Sequence, residues 1–284
     1  MEFASPEKDR PSLRALLAFY AEAGVDDALV EEPIDRFAAS EARSVPSRQP
    51  DAVRASAPEP RSAEQRAPAV FAAPKTSVAV PDEGQIALAR QRAASAATLD
   101  ELRRQMAEFE GCNLKFTAKN LVFADGNPGA DLMLVGEAPG RDEDLEGLPF
   151  VGRSGQLLDR ILAAMGLDRQ SAYIANVIPW RPPGNRSPTP QETEICRPFI
   201  ERQIELVNPK VLVTLGGSSA KTLLNTTQGV MRLRGNWKAH AMASGVTIPA
   251  MPTLHPAYLL RNPAHKKFVW RDFLEVKARL RALS

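Results

Sequence analysis

Four short apolar runs in this 284-residue chain each end on residues that could take part in chemistry. "DLMLVGEAPG" ends on Glu137, "AYIANVIPWRPPGNR" carries Asn176, "KVLVTLGGSSA" carries Gly216 and Gly217, and "TIPAMPTLHPA" carries His255. A carboxylate can orient water or balance positive charge, an imidazole can hold or release a proton, and a carboxamide offers one donor and one acceptor. Each signal alone is weak. Converging from four segments, they describe a site for a polar ligand.

One stretch is denser still. "GEAPGRDEDLEGLPFVGRSGQLL", Gly136 to Leu158, interleaves turn residues with Glu137, Asp142, Glu143, Asp144 and Glu146, and holds Phe150 and Val151 between Pro149 and Gly152. A surface loop accounts for the acids and turns but not for an aromatic residue caught between a proline and a glycine. Asp142, Asp144 and Glu146 also fit a solvated acidic turn.

The elements that must position these residues follow from periodicity. Helix-like segments at "SGQLLDRILAAMGL", "TPQETEICRPFIERQIELV" and "SSAKTLLN" separate the four runs, giving a β-α-β-α rhythm. The expectation is an α/β fold, a three-layer αβα sandwich around a central, mostly parallel four-stranded sheet. Ligands in such sheets bind beyond the carboxyl ends of the strands, where Glu137, Asn176, Gly216, Gly217 and His255 stand. Upstream, "EGQIALARQRAASAATLDELRRQMAEF" predicts helix with a break near Ala97 and Thr98. Neither G-x-G-x-x-G nor G-x-x-x-x-G-K-[ST] occurs at the strand ends, which disfavours nicotinamide chemistry and nucleoside triphosphate hydrolysis.

Composition divides the chain into three parts. Residues 83–284 hold the apolar runs, and residues 38–82 are rich in Pro, Ala, Ser and Arg with no apolar period, as expected of a disordered linker. Residues 1–37 carry Leu13, Leu16, Leu17 and Tyr20 at helical spacing, a short segment that could dock on a protein partner. No run approaches the roughly 20 apolar residues of a membrane span and no signal-peptide core is visible, so a cytoplasmic, monomeric protein without membrane partners is expected. The net charge of +2 hides a basic C-terminal third, with Arg232, Arg234 and Lys238 followed by seven Lys and Arg from Arg261 onward. That suits a phosphate backbone, or simply a solvated helix face.

Read together, "GEAPG", "PFVGRSG", "NVIPWRPPGNR", "TLGGSSA" and "HPAYLLR" resemble, in order, the motifs of the uracil-DNA glycosylase superfamily, most closely its family 4. The resemblance covers roughly residues 109–280. It implies excision of uracil from deaminated DNA by hydrolysis of the N-glycosidic bond, after the nucleotide is flipped into a pocket. It also implies the roles: Gly136, Phe150, Asn176 and His255 for uracil, with Phe150 stacking on the base. Asn176 would meet N3–H and O4, and His255 would meet O2 as negative charge develops. Gly216, Gly217, Ser218, Arg234, Tyr258, Leu259, Leu260 and Arg261 would contact DNA, the apolar members wedging into the vacated space. Glu143, or else Glu137, would activate water near an oxocarbenium-like sugar.

Departures from the better-known relatives sharpen this picture. Ala138 stands where they carry an aspartate, and Gly140 where they carry a tyrosine that rejects thymine, so strict uracil specificity is not implied. A histidine-bearing insertion that traps abasic DNA in one related group is absent, so turnover by water is expected. Alternatives are a non-cleaving binder of uracil or abasic sites and a small-molecule nucleoside hydrolase. Family 4 members typically hold a four-iron, four-sulfur cluster on four cysteines. Here those positions read Phe109, Cys112, Trp180 and Cys196, so no cofactor is expected; a labile two-cysteine metal site is the alternative.

Overall fold

The computed structural model of the protein describes residues 83–283; the expected N-terminal segment (1–37) and linker (38–82) lie outside the described residues. In chain order the strands are β1 (Asp125–Gly126), β2 (Leu132–Gly136), β3 (Ala172–Asn176), β4 (Val211–Leu215), β5 (Lys238–Ala241) and β6 (Thr247–Thr253). The helices are α1 (Glu83–Ser95), α2 (Leu99–Glu108), α3 (Leu114–Thr117), α4 (Arg141–Glu146), α5 (Arg153–Met165), α6 (Pro190–Val207), α7 (Gly217–Leu223), α8 (Val230–Leu233), α9 (Pro256–Arg261) and α10 (Lys266–Leu283).

The strands form one sheet in the order β1-β3-β2-β4-β6-β5. Its inner four strands are parallel, and one antiparallel strand closes each edge. The sheet therefore has six strands where the sequence reading expected four. The two additional strands carry little periodic signal: β1 is two residues long, and β5 reads "KAHA", with only His240 facing inward.

Alternation along β2 shows why both faces are covered. Leu132 and Leu134 face a layer built on Leu158 and Leu162 of α5 and Val269, Phe273 and Val276 of α10. Met133 and Val135 face the opposite layer, with Ala89 and Ala93 of α1, Leu102 and Met106 of α2, and Ile195, Phe199 and Ile204 of α6. A parallel strand packed on two faces must be apolar throughout, as every residue of β2, β3 and β4 is buried. The break between α1 and α2 is held locally. Thr98 caps α2 by accepting from the Glu101 N–H (3.2 Å), and Arg202 on α6 donates to the Ala96 carbonyl (3.0 and 2.8 Å). No helix among the described residues is long and apolar enough to cross a membrane.

Register sets the site. Gly136 pairs with Asn176 across β2 and β3, and Leu215 with Thr253 across β4 and β6. The carboxyl ends of all four parallel strands thus open on one edge. Just behind that edge, Thr253 at the end of β6 donates its hydroxyl to Asp272 of α10 (2.6 Å), and Arg234 clamps both oxygens of the same carboxylate. Asp272 is 1% exposed. Replacing Asp272 with Ala strands a guanidinium that is itself mostly buried. Because Arg234 keeps 16% of its side chain in contact with solvent, the loss is expected at the low end of the range for a broken buried pair, about 3 kcal/mol. Urea unfolding of Asp272→Ala measures it, and a loss below about 1 kcal/mol would mean the network holds little.

Candidate active site

Phe150 anchors the site. Its backbone is left-handed, with φ of 55°, a conformation that costs a side-chain-bearing residue about 1–2 kcal/mol and persists only when neighbours enforce it. Two features do so. Gly155 in the first turn of α5 lies so close that a Cβ there would stand 1.6 Å from the Phe150 carbonyl oxygen, and Arg169 hydrogen-bonds that same oxygen. The ring, 4% exposed, then lies over the bare end of β2: a Cβ on Gly136 would meet Phe150 Cζ at 2.7 Å and Asn176 Oδ1 at 2.4 Å.

Asn176 ends β3 beside Gly136. It is 5% exposed, and its Oδ1 has no hydrogen-bond partner within the protein. A buried acceptor left unpaired is costly and calls for an explanation. Oδ1 belongs to a residue lining a cavity of about 400 Å³, whose walls include Glu137, Gly140, Phe150, His255 and Arg261.

His255 follows β6 and caps α9. Its Nδ1 accepts the Ala257 N–H at 3.1 Å, which fixes the neutral tautomer with the proton on Nε2. Burial, and secondarily the charge of Arg261, push its pKa down to about 4. Its ring stacks on Phe150 with centroids 5.5 Å apart. Gly216 makes room for it, since a Cβ at that position, where φ is 101°, would stand 3.2 Å from His255 Cβ. Gly216 is thus a packing residue for His255, while Gly217 and Ser218 at the start of α7 remain partly exposed.

The two glutamates occupy unlike environments. Glu143 is 7% exposed and both its oxygens are engaged, Oε2 by the Gly140 N–H (3.0 Å) and Oε1 by the Gly152 N–H (3.1 Å). It braces the loop on either side of α4. Glu137 is half-buried in the cavity wall; desolvation raises its pKa above the ordinary 4.5, and a hydrogen bond from Ser187 draws it partly back. Asp144, for which a solvated turn was one of the alternatives, is 2% exposed and accepts the backbone N–H groups of Lys119 (2.8 Å) and Asn120 (3.2 Å). The opposite wall is held by Arg186, which grips Glu192 with two hydrogen bonds (2.9 and 2.6 Å).

Several expected DNA contacts fall elsewhere. Leu259 is 1% exposed and belongs to the core beneath α9, because its side chain points back against α5; only Leu260, 39% exposed, presents apolar surface there. Arg234 is committed to Asp272 and lies over the Phe268 ring at 5.0 Å, so it is a structural cation. Tyr258 is held by His265, with its hydroxyl 2.8 Å from Nδ1, and both it and the exposed Arg261 line the cavity. Arg169 went unnoticed in the sequence because nothing around "GLDRQ" marks it; only the fold brings it behind Phe150.

Cys112 and Cys196 do come together, with Cys196 donating to the Cys112 sulfur at 3.9 Å, both fully buried. That hydrogen bond and burial raise the Cys196 thiol well above its ordinary value, while the same contact lowers Cys112. Phe109 and Trp180 are buried in the same layer, and Phe109 packs edge-on against Phe199 at 5.2 Å. Two thiols and two aromatic rings do not fit a cluster that takes four thiolates.

The profile of the Uracil DNA glycosylase superfamily matches residues 123–274. The chain belongs to that superfamily. It is 39% identical over 186 residues to the type-4 uracil-DNA glycosylase of Archaeoglobus fulgidus, covering 63% of this chain and 92% of that protein. Similar relatives are the type-4 uracil-DNA glycosylases of Saccharolobus solfataricus (37% identical, 64% of this chain, 86% of that one) and Thermotoga maritima (38% identical, 59% and 86%).

The tautomer assignment can be checked directly. In NMR titrations the His255 ring is expected to stay neutral, protonated on Nε2, and to take up a second proton only near about 4. A midpoint at the ordinary 6.5 would contradict the half-buried, capping geometry.

Proposed function

We propose that the protein is a monofunctional DNA glycosylase that hydrolyses the N-glycosidic bond of uracil in deaminated DNA and leaves an abasic site. The observation that carries this reading is the unpaired Oδ1 of Asn176, buried in a wall shared with Phe150, Glu137 and His255. Uracil N3–H is the donor that this acceptor lacks, and the Asn176 Nδ2 can donate to the adjacent O4. Phe150 stacks on the flipped base. The Nε2–H of neutral His255 donates to O2, where charge builds as the bond to C1′ breaks, an interaction stronger in the transition state than in the ground state.

Glu137 then carries the role of balancing the cationic sugar and orienting water, because its carboxylate is not consumed by backbone donors as that of Glu143 is. Leu260 enters the space vacated by the flipped nucleotide, and Arg261 with the exposed Lys266 and Lys267 neutralises phosphates alongside the backbone of Gly217 and Ser218. Glu137→Gln is expected to slow single-turnover excision from a uracil-containing oligonucleotide by about 100-fold or more, with DNA affinity changed less than about threefold. Glu143→Gln should cost less and lower the melting temperature. The reverse ranking would return the role to Glu143. Tight DNA binding with no excision by the unsubstituted protein would favour the non-cleaving binder.

The same reading extends to the cofactor. With Phe109 and Trp180 filling the volume beside the buried thiols, this chain folds and acts without an iron–sulfur cluster. Protein purified without oxygen should be colourless, contain no stoichiometric iron and still excise uracil. About four irons per chain would overturn it.

A further inference from the structure

Arg169 lies in the turn between α5 and β3 and has no polar atom toward the cavity, yet its guanidinium is fully occupied behind the stacking loop. Nη1 donates to the Pro149 carbonyl (3.1 Å) and to Asp125 of β1, and Nη2 donates to the Phe150 carbonyl and to Asp159 Oδ2 of α5 (3.4 Å). Nε donates to Asp159 Oδ1 (2.9 Å). All five donors of the fork are used. Two carboxylates hold the cation, and the cation in turn holds two consecutive carbonyls on the N-terminal side of the stacking ring's own peptide and on its own residue.

These carbonyls are the ones whose orientation fixes the left-handed turn at Phe150. Gly155 permits the carbonyl of Phe150 to approach α5 but offers no force that keeps it there. From this geometry we infer that Arg169 is a positioning residue for base stacking: by fixing the Pro149 and Phe150 carbonyls it holds the Phe150 ring over Gly136, in the plane the flipped base requires. The inference rests on the reading of Phe150 as the stacking face. Lysine keeps the charge but offers a single nitrogen in place of the planar fork, so it cannot hold two carbonyls and two carboxylates together.

The test is a double-mutant cycle on the full chain, with single-turnover excision and DNA affinity measured on the same uracil-containing oligonucleotide. Arg169→Lys is expected to slow excision about tenfold while DNA affinity stays within about threefold, and in the Phe150→Ala background the same replacement should change the rate by less than about twofold. Asp159→Asn, at a half-exposed position, should give a smaller loss that likewise vanishes without the Phe150 ring. It serves in place of Arg169→Lys if that variant does not fold. Unchanged excision in Phe150→Ala would remove the stacking reading, and this inference with it. A slow Phe150→Ala beside unaffected Arg169→Lys and Asp159→Asn, or losses that multiply in the double variants, would leave stacking intact and show that Arg169 only supports the fold.

Discussion

The site depends on the absence of a side chain at the end of β2. Gly136 is where the Phe150 ring and the Asn176 amide both come within 3 Å of where a Cβ would stand. Any larger residue pushes the ring and the amide apart. The sheet register places Asn176 opposite Gly136, and the strained turn places the ring above it, so a bare strand end becomes the floor of the cavity.

The rest of the site consists of devices that keep this arrangement from relaxing. Glu143 ties the two ends of the acidic loop together through backbone N–H groups, Arg186 and Glu192 hold the facing loop, and Ser219 donates to the Val135 carbonyl (2.7 Å), fastening α7 to β2. Most of these are polar groups spent on the backbone, as expected where loops rather than regular elements carry function. The buried amide oxygen of Asn176 stands apart because it alone among the cavity's carboxamide and carboxylate groups described here is left without a partner.

Much of this was legible in the sequence, and the exceptions have physical causes. The four parallel strands announce themselves because burial on two faces demands continuous apolar runs, and of the residues read at their ends Glu137, Asn176 and His255 line the cavity while Gly216 and Gly217 do not. The edge strands were invisible because a two-residue pairing and an Ala-rich alternation carry no burial signal. Leu259 and Arg234 were misplaced for a related reason: sequence gives their type, but the face of a short helix and the partner of a cation are tertiary facts. The two glutamates could not be ranked, since the distinction lies in which backbone donors each one meets. Arg169 left no trace at all, because its partners come from β1, α5 and the stacking loop, far apart along the chain.

The cap on α9 joins two properties that are usually independent. His255 accepts the Ala257 N–H through Nδ1, so protonating that nitrogen would set one donor against another at the start of the helix that carries Leu260 and Arg261. The depressed pKa makes this a linkage: the folded chain prefers the neutral ring, and the stability that this preference contributes is lost as pH falls from the ordinary 6.5 through about 4. Acidification would therefore loosen α9 at the same time as it alters the ring that lines the cavity. One proton governs both the anchoring of that helix and the state of the site it borders.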